Sequence, residues 1–259
     1  MKISNYIITH KEFKVPELKG FIPIQVGAEG KKDLGYLKDN CGDNISSKNS
    51  NYCELTGVYW IWKNDKDSDI IGISHYRRYF TTIIDFNKNI INTGKIEKIL
   101  KKYDMIIARK EIYNQTAYNQ YCANSGFAKD LELVRNIIKD KYPAKYTEAY
   151  NKIMESNKIS QYNMLITSKE IFNEYCEWLF GILFEVEKNV NLEEGYNDYQ
   201  KRIYGFIAER LLNVWVEANS QLKIKRLPVV NTEISLMKSI EYILRRMKNY
   251  VDFRRKNKN

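Results

Sequence analysis

The chain has 259 residues, 44% hydrophobic and 29% charged, which suits a folded globular protein and excludes wholesale disorder. Twelve Gly and four Cys exclude collagen-like and disulfide-scaffold classes, and no Cys-x-x-Cys pair supports a zinc ribbon or thioredoxin motif. Formal charge is 42 − 32 = +10, and Ser235 to Asn259 holds 8 − 2 = +6 of it, so the tail is basic and the body nearly balanced.

In chain order, Tyr6-Ile7-Ile8-Thr9 predicts a short buried strand. It is too short for the apolar region of a signal peptide. Phe21 to Gly27 predicts a second strand, at an edge or irregular because of Pro23. Residues 28–51 read as a long polar loop, and such loops are more often functional than idle. Asn51 to Lys63 predicts a helix with Leu55, Val58, Tyr59 and Trp62 inward, capped by Asn49, Ser50 or Asn51. Asp69 to Ser74 predicts a strand buried on both faces. A short helix with Ile96, Ile99, Leu100 and Tyr103 inward leads to another strand, Asp104 to Ala108. This alternation argues for an α/β sheet of partly parallel strands.

The second half reads as mostly helical. Leu131, Val134, Ile138 and Tyr142 form one stripe, and Tyr146, Tyr150, Ile153 and Met154 the next. Asn163 to Ile166 predicts a strand, and Thr167 with Glu170 stands at capping-box spacing ahead of a long helix. The most apolar window, Trp178 to Phe184, falls far short of the ~20 residues that span a bilayer. A further helix is expected from Tyr199 to Ala218, and a strand from Leu222 to Val230. The tail predicts a helix with Leu236, Ile240, Ile243, Leu244, Met247 and Val251 on one side and basic residues elsewhere. Cys41, Cys53, Cys122 and Cys176 read as reduced, mostly buried thiols, and the expected location is cytoplasmic.

Four stretches carry candidate chemistry. Ser74-His75-Tyr76-Arg77-Arg78-Tyr79-Phe80 follows a buried strand, and open α/β sheets bind ligands at the carboxyl ends of their strands. Its Arg pair could clamp phosphates or serve structural ion pairs. Asp39 to Ser46 with Tyr52 to Thr56 offers carboxylates and amides for sugar hydroxyls, or turn and capping chemistry. Asn163 could position a ligand or satisfy backbone. Glu209 and Arg210 interrupt an apolar helix face, as a structural pair or with Glu209 as general base. No phosphate-binding Gly-x-x-x-x-Gly-Lys loop, dinucleotide Gly-x-Gly-x-x-Gly or Gly-x-Ser-x-Gly elbow is present.

Thr9-His10-Lys11, Ile24-Gln25-Val26-Gly27, Gly42-Asp43-Asn44-Ile45, Tyr52-Cys53-Glu54-Leu55-Thr56-Gly57, Tyr59 to Asn64, His75 to Phe80, Tyr162-Asn163-Met164 and Glu209 to Trp215 together form a specific series. It resembles the bacterial capsular and exopolysaccharide glycosyltransferases catalogued as domain-of-unknown-function family 4422, over roughly residues 3–232.

The resemblance implies a GT-A-like, Rossmann-related α/β domain over residues 1–234, with a basic helix over 235–259. It implies a UDP-sugar donor, galactose or galactofuranose. Thr9, His10, Gln25, Val26, Gly27, Asp43, Asn44, Glu54, Thr56, His75, Arg77 and Arg78 would bind the donor. Tyr76, Asn163 and Met164 would meet the acceptor, and Glu209, then Asp198, would be the catalytic base of an inverting transfer.

The place where many GT-A enzymes carry a metal-binding Asp-x-Asp holds His75-Tyr76-Arg77-Arg78 instead. Either the Arg pair replaces Mn²⁺ or Mg²⁺, or His75 ligates a metal with a distant carboxylate. Relatives often carry a His near Asn124-Ser125, absent here. The implied acceptor is a lipid-diphosphate-linked oligosaccharide, and the basic tail would attach the chain peripherally to the anionic inner face of the cell membrane. No nucleic acid partner is expected. Two other classes remain: a nucleic-acid binder, from the +10 charge and 20 Tyr, and a non-catalytic sugar-binding scaffold.

Overall fold

A computed structural model describes residues 1–82 and 89–256. Strands β1 (Ile3–Thr9), β2 (Phe21–Gln25) and β3 (Leu37–Lys38) precede helices α1 (Asn49–Tyr52) and α2 (Leu55–Asn64). Then come β4 (Ile70–His75), β5 (Arg78–Phe80), α3 (Thr93–Leu100), β6 (Met105–Ala108) and β7 (Glu111–Ile112). Helices α4 (Ala117–Asn124), α5 (Ala128–Lys141) and α6 (Ala144–Glu155) lead to β8 (Lys158–Ile159) and β9 (Leu165–Ser168). The chain continues through α7 (Lys169–Asn189), α8 (Ile203–Ala218), β10 (Ile224–Leu227), β11 (Val229–Asn231) and α9 (Leu236–Lys256).

The main sheet has the order β10-β6-β9-β4-β1-β2-β3, with β5 and β11 paired beside β4. The β4-β1-β2-β3 and β10-β6 pairs are parallel, and β9 runs antiparallel between the two groups. The fold is thus α/β, a mostly parallel sheet flanked by helices. Every residue of β4 is buried, as befits a central strand covered on both faces. The main core joins the sheet to α2, α5, α6, α7 and α8, and a smaller cluster around Ile96, Ile106 and Met164 fills the other side. Among the described residues only the two-residue β3 lies outside β2, and it pairs from Ile24 onward, so no outer ladder there faces Pro23.

Five local expectations are corrected. The single helix expected from Asn51 is two, broken at Cys53, whose φ is 52°. No side chain caps either piece. Asn49 instead spans the break, donating to Cys53 O at 2.7 Å and Thr56 Oγ1 at 3.1 Å. The cap of α7 is Ser168, which accepts from Ile171 N, while Thr167 belongs to β9 and donates to Asp104 O at 2.7 Å. Pro228 divides the stretch from Leu222 to Val230 into β10, parallel to β6, and β11, antiparallel to β5. Of the four free cysteines only Cys176 is buried, and Cys41 is exposed.

Helix α9 docks through its polar side. Arg246 donates to Lys110 O at 2.9 Å, and Asn249 Nδ2 donates to Ile112 O at 3.0 Å. Leu236, Ile243, Arg254, Lys256 and Lys258, also expected in this tail, lie outside the described side chains. Among the described residues no helix is long and apolar enough to cross a membrane.

Candidate active site

Strands β1 and β4 end side by side at Thr9 and His75, and antiparallel β9 begins at the same edge, just after Tyr162 and Asn163. A cavity of about 500 Å³ opens there, closed from behind by α8. This edge is where the carboxyl ends of parallel strands leave backbone groups and loops free for a ligand.

Of the expected donor residues, Thr9, His10, Val26, Glu54, His75, Arg77 and Arg78 line the cavity, as do Tyr76 and Glu209. The others lie elsewhere. Gln25 is buried behind the wall and pins the next loop, donating to Lys32 O at 2.8 Å and accepting from Leu34 N at 3.0 Å. Gly27 has φ 57°, and a Cβ there would come within 2.5 Å of Asn49 Oδ1. Its smallness therefore serves packing against α1. Asp43 accepts from Tyr59 Oη at 2.9 Å, and Asn44 closes its own turn onto Gly42 O and Ser46 N. Thr56 is fully buried under the helix break. Asp198 is exposed in the turn before α8 and is not on the cavity wall. Met164 is fully buried in the smaller core cluster.

Asn163 is buried directly behind the wall. Its Nδ2 donates to Glu54 Oε1 at 2.7 Å and to Gly205 O at 3.2 Å, while its Oδ1 is buried without a partner. It therefore orients a wall carboxylate.

The two acids differ in support. Glu209 Oε1 accepts from Tyr162 N at 3.0 Å. Burial raises its carboxyl above the usual range, against the neighbouring Arg210 and together with the negative charge of Glu54. A carboxylate poised in this way suits proton abstraction.

Desolvation lowers both histidines below the usual imidazole value. For His10, Lys11, Lys31 and Arg77 add to the effect; for His75, Glu54 opposes it. His75 Nε2 is 2.6 Å from Tyr162 O, so this nitrogen carries the proton and donates.

Four guanidinium groups face the acids. Arg78 stacks over the Tyr162 ring at 4.6 Å. Arg77 lies over the Tyr76 ring, reaches Glu233 at 3.4 Å and keeps a buried Nε without a partner. Arg202 donates to Cys53 Sγ at 3.2 Å and lies against the Tyr199 and Phe206 rings. Fully buried Arg210 donates to Phe206 O and Gln120 Oε1.

Sequence reasoning missed Arg202, Tyr199, Phe206 and Gln120 on the wall. Arg202 sits one position before α8, where charge counting does not distinguish it from Lys201, which pairs with Glu193. Asn124 and Ser125 line the far side.

Among the described residues no three His, Cys, Asp or Glu side chains gather as a metal ligand set. His75 has one ring nitrogen committed to a carbonyl, which leaves only the other for a ligand.

The fold resembles the apo structure of the WbbM bifunctional glycosyltransferase, with a TM-score of 0.81 and 28% identity over 90% of this chain. The chain spans about half of that protein, 46% of its length. No curated protein matches the chain. A family described as Domain of unknown function (DUF4422) matches residues 4–220, which include β1, β4, β9 and α8 around the cavity, and the chain belongs to it.

Proposed function

We propose that the chain is a glycosyltransferase that moves a hexosyl group, galactose or galactofuranose, from a UDP-sugar to a lipid-diphosphate-linked oligosaccharide, as in capsular, exopolysaccharide or O-antigen synthesis. One observation carries this reading: four guanidinium groups and two carboxylates share a single cavity at the carboxyl ends of two central parallel strands. The likeness to a bifunctional glycosyltransferase supports it.

In this mechanism Thr9, His10 and Val26 border the nucleotide, and Arg77 and Arg78 take the diphosphate. Tyr76, Tyr199 and Phe206 supply flat apolar faces for rings. The acceptor hydroxyl oxygen attacks the anomeric carbon while Glu209 takes its proton. As the new C–O bond forms, the bond from the anomeric carbon to the β-phosphate oxygen breaks, and its electron pair leaves on UDP. The guanidinium groups stabilise the charge that develops there, and attack opposite the leaving group inverts the centre.

Calorimetry with UDP, UDP-galactose and UDP-galactofuranose tests the donor, and the absence of heat at millimolar nucleotide overturns it. UDP release with a lipid-linked acceptor tests transfer. Release abolished in Glu209→Gln, with UDP still bound, is the expected result. Binding without release from the native chain with any lipid-linked acceptor would leave a sugar-binding scaffold.

A further inference from the structure

Helix α9 has two opposite faces. One is clamped to the wall of the cavity: Tyr242 lies beside Tyr162 and Glu111 and interacts electrostatically with both, Arg246 holds Lys110 O, and Asn249 holds Ile112 O. Roughly half a turn away, Met237, Ile240, Leu244, Met247 and Val251 recur at spacings of three and four residues, and these five are 75%, 39%, 60%, 64% and 45% exposed. The stripe runs about 21 Å along the helix at ~1.5 Å per residue. Five adjacent exposed large apolar side chains on one helix are a binding face, whereas scattered ones are not.

Charge identifies the occupant. Leu236 to Lys256 carries seven Lys and Arg against Glu241 and Asp252, or 7 − 2 = +5. Lys238, Arg245, Lys248 and Arg255 are exposed beside the stripe. Two copies paired along this seam would bring +5 against +5 in the low-dielectric space between them. An anionic bilayer instead neutralises the cations while its acyl boundary receives the stripe, the arrangement of an in-plane amphipathic helix.

We propose that α9 lies in the interface of an anionic phospholipid bilayer, its Met237–Val251 stripe inserted, and so holds the cavity against the membrane through the Tyr242–Tyr162 contact. This stands independently of the nucleotide-sugar reading.

The test is co-sedimentation of the full chain with phosphatidylcholine vesicles and with vesicles containing about one quarter phosphatidylglycerol. The expected result is binding to the anionic vesicles alone, weakened by salt. A drop of at least about tenfold in partitioning is expected for Leu244→Glu/Met247→Glu, and a similar drop for Lys248→Glu/Arg255→Glu. Heat of UDP binding and thermal melting of the same variants report whether the cavity stays intact. Equal vesicle binding by the stripe variant overturns the proposal, as does no binding by the native chain. A native dimer in analytical ultracentrifugation that Leu244→Glu/Met247→Glu converts to monomer overturns it in favour of a second copy. A chain that binds vesicles but not UDP leaves the proposal standing and removes the nucleotide reading.

Discussion

Asn163 Nδ2 donates to Glu54 Oε1 at 2.7 Å, across 109 residues of sequence. The bond joins two strained pieces of backbone: Tyr162 and Asn163, at φ 78° and 50°, and Cys53, at φ 52° beside Glu54. These are the non-glycine residues with positive φ among the described residues; Cys53 and Tyr162 line the cavity and Asn163 lies directly behind its wall. Each such residue costs on the order of 1–3 kcal/mol and persists only where its surroundings hold it. Strain concentrated here is what a preorganised site requires, and it is why the helix expected to start at Asn51 breaks at Cys53.

Asn163→Ala removes the donor to Glu54 and keeps a Cβ at positive φ. A loss of about 1–3 kcal/mol is expected in denaturant unfolding, with a fall in UDP release. Asn163→Gly loses the same hydrogen bonds but relieves the backbone, so it should be the more stable of the two and equally poor in transfer. Full turnover by the Gly variant would mean that the orientation of Glu54 is irrelevant.

Glu209→Gln separates chemistry from folding. Burial raises the Glu209 carboxyl in the folded chain above its unfolded value. A group raised on folding contributes stability that is complete below the unfolded pKa and is lost as pH rises through the folded one. Gln is neutral throughout. The variant should therefore melt higher than the native chain near pH 8 and gain little near pH 4, values on either side of the carboxyl range. Turnover should fall by about 10²–10⁴-fold, the usual weight of a general base. In the native chain kcat/KM should decline as pH falls through the raised pKa. A lower melting temperature near pH 8 would show that the ionised carboxylate is a structural anchor.

Much of the fold was legible because it rests on period and length. The runs at Tyr6–Thr9, Asp69–Ser74 and Asp104–Ala108 are apolar on both faces, and they became β1, β4 and β6 in a mostly parallel sheet. The cavity was half legible. His75 to Arg78 follows the central strand directly, so its position could be read locally. Arg202 and Asn163 reach the site through tertiary contacts 149 and 109 residues long, to Cys53 and Glu54, and no local pattern encodes these. Asp43 and Asn44, in the polar loop, and Thr56, in the helix after it, were expected at the donor from the family resemblance. In the fold Asn44 satisfies the loop's own backbone, Thr56 the α1–α2 break, and Asp43 accepts from the Tyr59 hydroxyl, the commoner uses of such residues.

Arg78→Ala and Arg77→Ala should each weaken UDP binding by about 10–100-fold, since a hydrogen bond to a charged group contributes roughly 1.5–3 kcal/mol. Lys should not restore the loss, because its point charge lacks the planar fork and stacks poorly on Tyr76 or Tyr162. Glu233→Ala is the matched control. Its pair with Arg77 is 3.4 Å long between side chains 42% and 37% exposed, so it contributes only about 0–1 kcal/mol. Freeing Arg77 should leave UDP affinity unchanged or improved. Calorimetry checks all three, and unchanged affinity in both Ala variants would remove the arginines from the diphosphate site.

Tyr242→Phe tests whether α9 supports the site as well as covering its flank. The Tyr242 hydroxyl lies beside Tyr162 and Glu111 and interacts with both, and Tyr162 N in turn holds Glu209 Oε1 at 3.0 Å. Removing one hydroxyl costs about 1 kcal/mol and leaves Arg246 and Asn249 to keep the helix docked. The strained Tyr162–Asn163 turn then loses an external restraint while its own backbone cost is unchanged. Amide hydrogen exchange should quicken from Tyr162 to Leu165, with little change in α8. Turnover should fall by a few-fold with UDP affinity intact, because the positioning of Glu209 is disturbed and the arginines are not. Exchange and turnover both at native values would mean that α9 touches the catalytic wall without restraining it.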